Sequence, residues 1–180
     1  MKKVFLLTVI LMIQPTYSAD IRIADFANKC SALFLLMTMM TDEQWKPFSD
    51  NMSQLSETMS LITASIAEEN NKVLTHGELM DARNIEADRI IATMNKKGLP
   101  PILDLYARCD NFRESFAYTA MQNPNNDSVL FDSLSMPPEK VAMNEQKTAL
   151  VEMVLETSFA EMDAAGITSI VEIYEELRNP

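Results

Sequence analysis

Few side chains in this sequence could bind a metal ion. The chain has one histidine, His76, and two cysteines, Cys30 and Cys109. One imidazole cannot complete a zinc or di-iron site, and the sequence has no Glu-x-x-His pair and no Cys-x-x-Cys-His segment for haem attachment. We therefore expect no metal and no other cofactor. We interpret His76 as an exposed residue in the first turn of a helix.

Methionine is the one side chain that is unusually frequent. The chain has fourteen, and Met37, Met39 and Met40 lie close together. Thioethers are soft ligands that favour Cu(I). Most of the methionines, however, occupy the same helical spacings as leucine and isoleucine, which is typical of core filling. A soft-metal site and an adaptable methionine-lined groove for a partner stay open as alternatives.

Carboxylates are abundant, but none stands in a motif that distinguishes it from a solvated surface charge. The serines between positions 49 and 65 have no histidine partner in the segment and no nucleophile elbow. The sequence therefore predicts no catalytic residue, although an enzyme without a recognisable motif stays open. The glutamates that lack any catalytic motif around them include Glu57, Glu68, Glu114, Glu145 and Glu156.

The two cysteines favour a structural role. Only one internal pairing, Cys30 with Cys109, is possible, and in an oxidising compartment that pairing is the default. Neither residue belongs to a Cys-x-x-Cys pair, so a thioredoxin-like redox role has no support. We predict a disulfide that links the first and fourth helices across the core. Closing a loop of about 80 residues would stabilise the fold by roughly 4 kcal/mol in the chain-entropy model.

Residues 1–19 read as a secretory signal peptide. Two lysines precede an apolar run at 4–13, and small residues at 16–19 suit cleavage. The run is about half as long as a membrane-spanning helix requires. We therefore predict that 1–19 is cleaved and that 20–180 forms a single domain without a membrane span. The expected location is periplasmic or secreted.

The charge of the predicted domain is strongly negative. Residues 20–180 hold thirteen basic and twenty-six acidic side chains, a formal charge of −13. The basic residues form no stripe or cluster in the sequence, which argues against nucleic acid and against anionic lipid surfaces as partners. The charge is compatible with a basic protein partner attracted by the long-range field, and also with a simple role in solubility.

Apolar residues recur at spacings of three and four, and the chain has only three glycines. This pattern predicts an all-α fold, a helical-bundle domain of five to six helices. The first helix is apolar nearly all round in its second half, so we expect it to be the central one. A capping box at Thr75–Glu78 and a serine cap at Ser169 mark two further helix starts. The main helices are expected at 21–40, 47–69, 76–97, 100–120 and 138–165.

The stretch from 122 to 138 is the longest irregular segment that the sequence predicts. Segments of this length are often functional or disordered. An apolar island within it, Val129, Leu130 and Phe131, indicates that it packs against the domain. We treat these three residues as a candidate interaction loop.

These observations favour a binding module over the other function classes. We predict a small exported helical protein, an inhibitor, immunity-type or adaptor protein, that acts on another exported or envelope protein. In size and class it is similar to the small disulfide-bonded helical immunity proteins of bacterial secretion systems, with no motif shared residue by residue. The alternatives are a carrier of an apolar ligand or soft metal and an enzyme without a recognisable motif.

Overall fold

The computed structural model describes residues 17–40, 43–125 and 127–179. Within these ranges the chain forms seven α-helices and no strand, so the predicted all-α fold is confirmed. The predicted signal peptide lies outside the described residues as far as position 16, and it stays a prediction. The helices are α1 (Tyr17–Leu36), α2 (Lys46–Glu69), α3 (His76–Lys97), α4 (Pro100–Gln122), α5 (Asp127–Ser133), α6 (Glu145–Ala164) and α7 (Ile170–Arg178), with a 3₁₀ turn at Glu43–Trp45.

Helix α1 is the centre of the domain, as its sequence predicts. It packs most extensively against α2 and also contacts α3 and α4. Its second half is enclosed on several sides, because Leu33, Phe34 and Leu36 are all fully buried. The helix ends four residues before the expected position. At that end the amide of Thr38 bonds to the carbonyl of Leu35, which tightens the last turn.

Hydroxyl groups join α1 to α2. The Ser56 hydroxyl donates to the carbonyl of Ser31 at 2.8 Å, and the Ser31 hydroxyl donates to the carbonyl of Ser56 at 2.7 Å. The Ser60 hydroxyl lies 2.8 Å from that of Ser31, and Thr63 donates to the carbonyl of Ala24 at 3.3 Å. These bonds satisfy hydroxyls that would be costly to bury unpaired. The serines on this side of α2 therefore have a packing role.

The two predicted caps are confirmed. Thr75 accepts the amide hydrogen of Glu78 at 3.2 Å, and the Glu78 carboxylate accepts the Thr75 amide hydrogen at 2.7 Å. The bonds from the Thr75 backbone and hydroxyl hold the pKa of the Glu78 carboxyl below its ordinary value. Ser169 accepts the amide hydrogen of Glu172 at 3.2 Å and caps α7. His76 is exposed in the first turn of α3, as predicted.

The segment after α4 differs from the prediction. Helix α5 occupies the middle of the stretch that was expected to be irregular, and α6 begins at Glu145 rather than at 138. The reason for the later start is local. The side chain of Asn144 accepts the amide hydrogen of Lys147 at 2.8 Å, which caps α6 and fixes its first turn there.

The buried face of α6 also differs from the prediction. The apolar residues of the predicted fifth helix, counted at helical spacing, place Leu150 and Met153 on its inward face, but they are 45% and 44% exposed. Ser158 is buried instead, and its hydroxyl donates to the carbonyl of Leu36 at the end of α1. A pattern that counts only apolar residues misses a helix whose inward face includes a hydrogen-bonded serine. The buried residues of α6 are Val151, Val154, Leu155, Ser158 and Met162.

Candidate functional site

The predicted disulfide is present and joins Cys30 of α1 to Cys109 of α4. Their Cα atoms lie 5.4 Å apart, and both residues are fully buried. The cross-link therefore fixes the distance between two helices that are far apart in the sequence. The residue before each cysteine, Lys29 on α1 and Arg108 on α4, lines a cleft described below.

The candidate interaction loop forms part of α5. Leu130 and Phe131 are buried in the core, and the Phe131 ring packs on that of Phe116, with 6.3 Å between the ring centroids. Leu130 and Phe131 of the apolar island thus pack against the domain, as the sequence indicates. A role of Val129, Leu130 and Phe131 in binding a partner stays a prediction.

The methionines that cluster in the sequence are divided between core and cavity. Met37, Met40 and Met162 are buried, and Met39, Met40 and Met162 line a cavity of about 520 Å³ at the ends of α1 and α6. Across the described ranges, no three His, Cys, Asp or Glu side chains come together in a way that could hold a metal ion.

A cleft of about 820 Å³ lies between α1, α3 and α4, and we call it the α1–α3–α4 cleft. The segment after α5 adds Met136 and Glu139 to its wall. Its apolar part includes Phe26, Ile90 and Ile102, which are buried. Its charged side chains are four basic and four acidic residues: Arg22, Lys29, Arg89, Arg108, Asp25, Glu86, Asp104 and Glu139.

The guanidinium group of Arg108 lies over the ring of Phe26, 4.7 Å from the ring centroid. That ring is itself held edge-on to Phe112, with centroids 5.6 Å apart. Asp104 precedes Arg108 by one helical turn, yet the ion pairs found among the described residues do not include Arg108. The Nε atom of Arg108 is buried without a hydrogen-bond partner. Arg108 is therefore a cation held in the cleft by an aromatic ring rather than by a carboxylate.

Asn28 lies next to Lys29 on the same wall. It is 9% exposed, and its Oδ1 atom is buried with no hydrogen-bond partner in the part of the chain that the structure describes. It lines the α1–α3–α4 cleft and also an adjoining cavity of about 390 Å³ between α1, α2 and α3. A buried amide oxygen without a donor destabilises a protein by about 1–3 kcal/mol. Such groups are rare in folded proteins and mark positions where a further partner would be favourable.

Sequence reasoning nominated none of the cleft residues. One signal was available on α1, where Arg22, Asp25 and Lys29 recur at helical spacing on an otherwise apolar helix. A charged stripe on a central helix indicates a wall that is open to water. Its partners on α3 and α4 could not be assigned to it from the sequence, because only tertiary packing brings them together.

Comparison with protein families, with curated proteins and with solved structures finds no match to this chain. No relative therefore supplies a function, and the geometry of the cleft carries the proposal that follows. Among the helices of the described part of the chain, none is both long and apolar enough to cross a membrane.

Proposed function

We propose that this chain is an exported binding protein that holds a segment of a partner protein in the α1–α3–α4 cleft. The observation that supports the proposal is a set of charged groups in the cleft for which the described residues supply no ion-pair partner. Lys29, Arg108, Asp25, Asp104 and Glu139 line it, and none of them takes part in an ion pair within 4 Å among the described residues.

A polypeptide offers a counterpart for each kind of group in the cleft. Acidic and basic side chains match the unpaired charges, and apolar side chains match the surface around Phe26 and Met136. A main-chain amide hydrogen matches the vacant acceptor of Asn28. The volume of about 820 Å³ lies within the range of established ligand pockets, roughly 300–1,000 Å³.

The net negative charge of residues 20–180 favours a basic partner. The cleft itself holds equal numbers of basic and acidic side chains, whereas residues 20–180 carry a formal charge of −13. Long-range attraction would thus act on the whole partner, and the mixed charges of the cleft would select the segment that enters it.

The adjoining cavity supports a second candidate, a carrier of a small apolar ligand. Its volume is about 390 Å³, and its lining includes Ile66, Ala67, Leu74 and Leu79. Native mass spectrometry of the purified protein tests this candidate. A retained mass that organic solvent releases would support it, and a single mass equal to that of the polypeptide would count against it.

Two matched threonines test the binding proposal. Thr93 lines the cleft on α3, and Thr58 lies on α2 outside the cleft. Each donates to the carbonyl four residues earlier at 2.8 Å, so both make the same local bond. Thr93→Trp would fill part of the cleft, whereas Thr58→Trp would place the same ring on another face.

The immobilised oxidised protein and both variants would be exposed to an extract of the host envelope, after circular dichroism has confirmed equal folding. We expect one protein to be retained by the wild type and by Thr58→Trp but lost from Thr93→Trp. Retention of the same proteins by all three would contradict a role for the cleft. Retention of none would contradict the binding function in that envelope.

A further inference from the structure

We infer that Lys29 and Arg108 together form a site for a carboxylate carried by the bound peptide segment. This inference rests on the proposed function and specifies what the cleft recognises. The carboxylate could belong to an acidic side chain or to the C-terminus of the partner, and the experiment below separates these two sources.

The disulfide brings together the backbone segments that carry the two cations. Cys30 and Cys109 have Cα atoms 5.4 Å apart, and Lys29 and Arg108 directly precede them on α1 and α4. Both side chains line the same cleft. Two like charges on adjoining helices repel each other unless an anion lies near both, so a carboxylate would relieve that repulsion.

The ring of Phe26 sets the direction of the Arg108 side chain. Because the Cζ atom of Arg108 lies over this ring, 4.7 Å from its centroid, the N–H donors that point away from the ring are the ones left to bind an acceptor. A carboxylate can accept two parallel bonds from such donors, which a lysine could not donate. The Nε atom is covered in the free protein and has no acceptor among the described residues.

Asn28 indicates that the carboxylate is part of a peptide. Its side chain is about nine-tenths buried on the wall beside Lys29, and its Oδ1 atom lacks a donor. This oxygen is covered in the free protein, and a segment that displaces the side chains over it would satisfy it with a main-chain N–H while the carboxylate binds the two cations. A small inorganic anion would leave the Asn28 oxygen unsatisfied.

Two carboxylates of the protein restrict which segments fit. Asp25 and Asp104 each precede one of the cations by one helical turn, and neither forms an ion pair within 4 Å among the described residues. They would repel a segment with several acidic residues and favour one whose carboxylate is flanked by basic or neutral residues.

The test uses three pools of pentapeptides, randomised except as stated and with aspartate and glutamate left out of the random positions. The first has blocked ends and glutamate at the centre, the second has blocked ends and glutamine at the centre, and the third has central glutamine with a free C-terminal carboxylate. The readout is the ¹⁵N–¹H signal of the Arg108 Nε together with the amide signals of the α1–α3–α4 cleft. The Nε signal is assigned by its loss in Arg108→Lys.

We expect the first or the third pool to shift the Arg108 signal, and the one that does so identifies the source of the carboxylate. Arg108→Gln should weaken that binding by at least about tenfold, and Arg108→Lys should restore it only in part. Arg113→Gln is the matched control, because Arg113 is on the same helix, outside the cleft, and pairs with Asp110.

Three results would overturn the inference. If all three pools shift the cleft amides equally, the cleft binds peptides without reading a carboxylate, and only the proposed function survives. If no pool shifts any cleft signal, both the inference and the proposed function fail. Equal losses in Arg108→Gln and Arg113→Gln would show an effect of net charge and would also overturn the carboxylate site.

Discussion

Cys30 on α1 is bonded to Cys109 on α4, and the residue before each of them faces the α1–α3–α4 cleft. The disulfide therefore joins α1 to α4 in the core and also positions the two residues on the wall of the cleft. It fixes two helices whose contact is otherwise less extensive than that of α1 with α2 or α3. Loss of the bond should therefore affect stability and the arrangement of Lys29 and Arg108.

The double variant Cys30→Ser, Cys109→Ser should be less stable than the oxidised protein by roughly 4 kcal/mol, because its unfolded chain is no longer closed into a loop. Urea denaturation of both proteins measures the difference. The reduced wild type should unfold together with the variant. Equal denaturation midpoints for the oxidised wild type and the variant would show that the bond adds no stability.

Asp88 should hold α7 on α3. Its carboxylate accepts the hydroxyl hydrogen of Ser169 and the amide hydrogen of Ile170, both at 2.6 Å. Asp88→Ala would leave the start of α7 without these charge-assisted bonds, each typically contributing about 1.5–3 kcal/mol. We expect faster hydrogen exchange in Ile170–Arg178, measured by mass spectrometry of the peptides from this region.

Asp81 provides the control for that experiment. It also lies on α3 and contacts α7, through an ion pair with Arg178 at 3.3 Å, but both side chains are more than half exposed. Exposed pairs contribute little, so Asp81→Ala should change the exchange of α7 only slightly. If the two variants accelerate exchange equally, the bonds to Asp88 are not what fixes the helix.

Ser56→Val should weaken the contact between α1 and α2. Ser56 is buried, exchanges hydrogen bonds with Ser31, and has no room for a larger side chain without movement of α1. We expect a loss of about 1–3 kcal/mol in the free energy of unfolding. Ser65→Val places the same side chain at an exposed position of α2 and should change stability by about 0.5 kcal/mol or less. Similar losses in both variants would indicate helix propensity rather than packing.

Tyr106 should make stability depend on alkaline pH. Burial, with a smaller contribution from the charge of Asp110, raises the pKa of its phenol to about 12. The unfolded chain ionises this group near pH 10, so between about pH 10 and 12 the folded state binds more protons than the unfolded state. The phenol therefore contributes its full stabilisation below about pH 10 and loses it as pH rises through about 12.

Denaturation midpoints on either side of this pH window measure the effect. Stability should fall across it by up to about 3 kcal/mol more in the wild type than in Tyr106→Phe. Tyr118→Phe removes an exposed phenol and should behave as the wild type does. Parallel pH profiles for wild type and Tyr106→Phe would show that Tyr106 ionises normally.

The features that were predicted correctly from the sequence depend on residues close together in the chain or on a choice with very few alternatives. The capping box needs only Thr75 and Glu78, which are three residues apart. The disulfide follows from there being only two cysteines. The buried face of α1 follows from its strong apolar repeat, which leaves few ways to orient the helix.

The features that the sequence missed depend on contacts between distant residues. The orientation of α6 is set by a bond from Ser158 to the carbonyl of Leu36. The cleft requires Arg108 to lie over Phe26, two residues that belong to different helices. Neither contact produces a repeating pattern of apolar residues in the sequence. Each joins one polar side chain to a residue that is distant in the sequence and comes near it only in the folded protein.

The most direct test of the binding proposal is site-specific photo-crosslinking. A benzoylphenylalanine would replace Leu105 in the cleft or, as a control, Leu61, which is exposed on α2. We expect irradiation in the host envelope to link one partner protein to position 105 and not to position 61. Absence of any product at position 105, or equal yields of the same product at both positions, would contradict it.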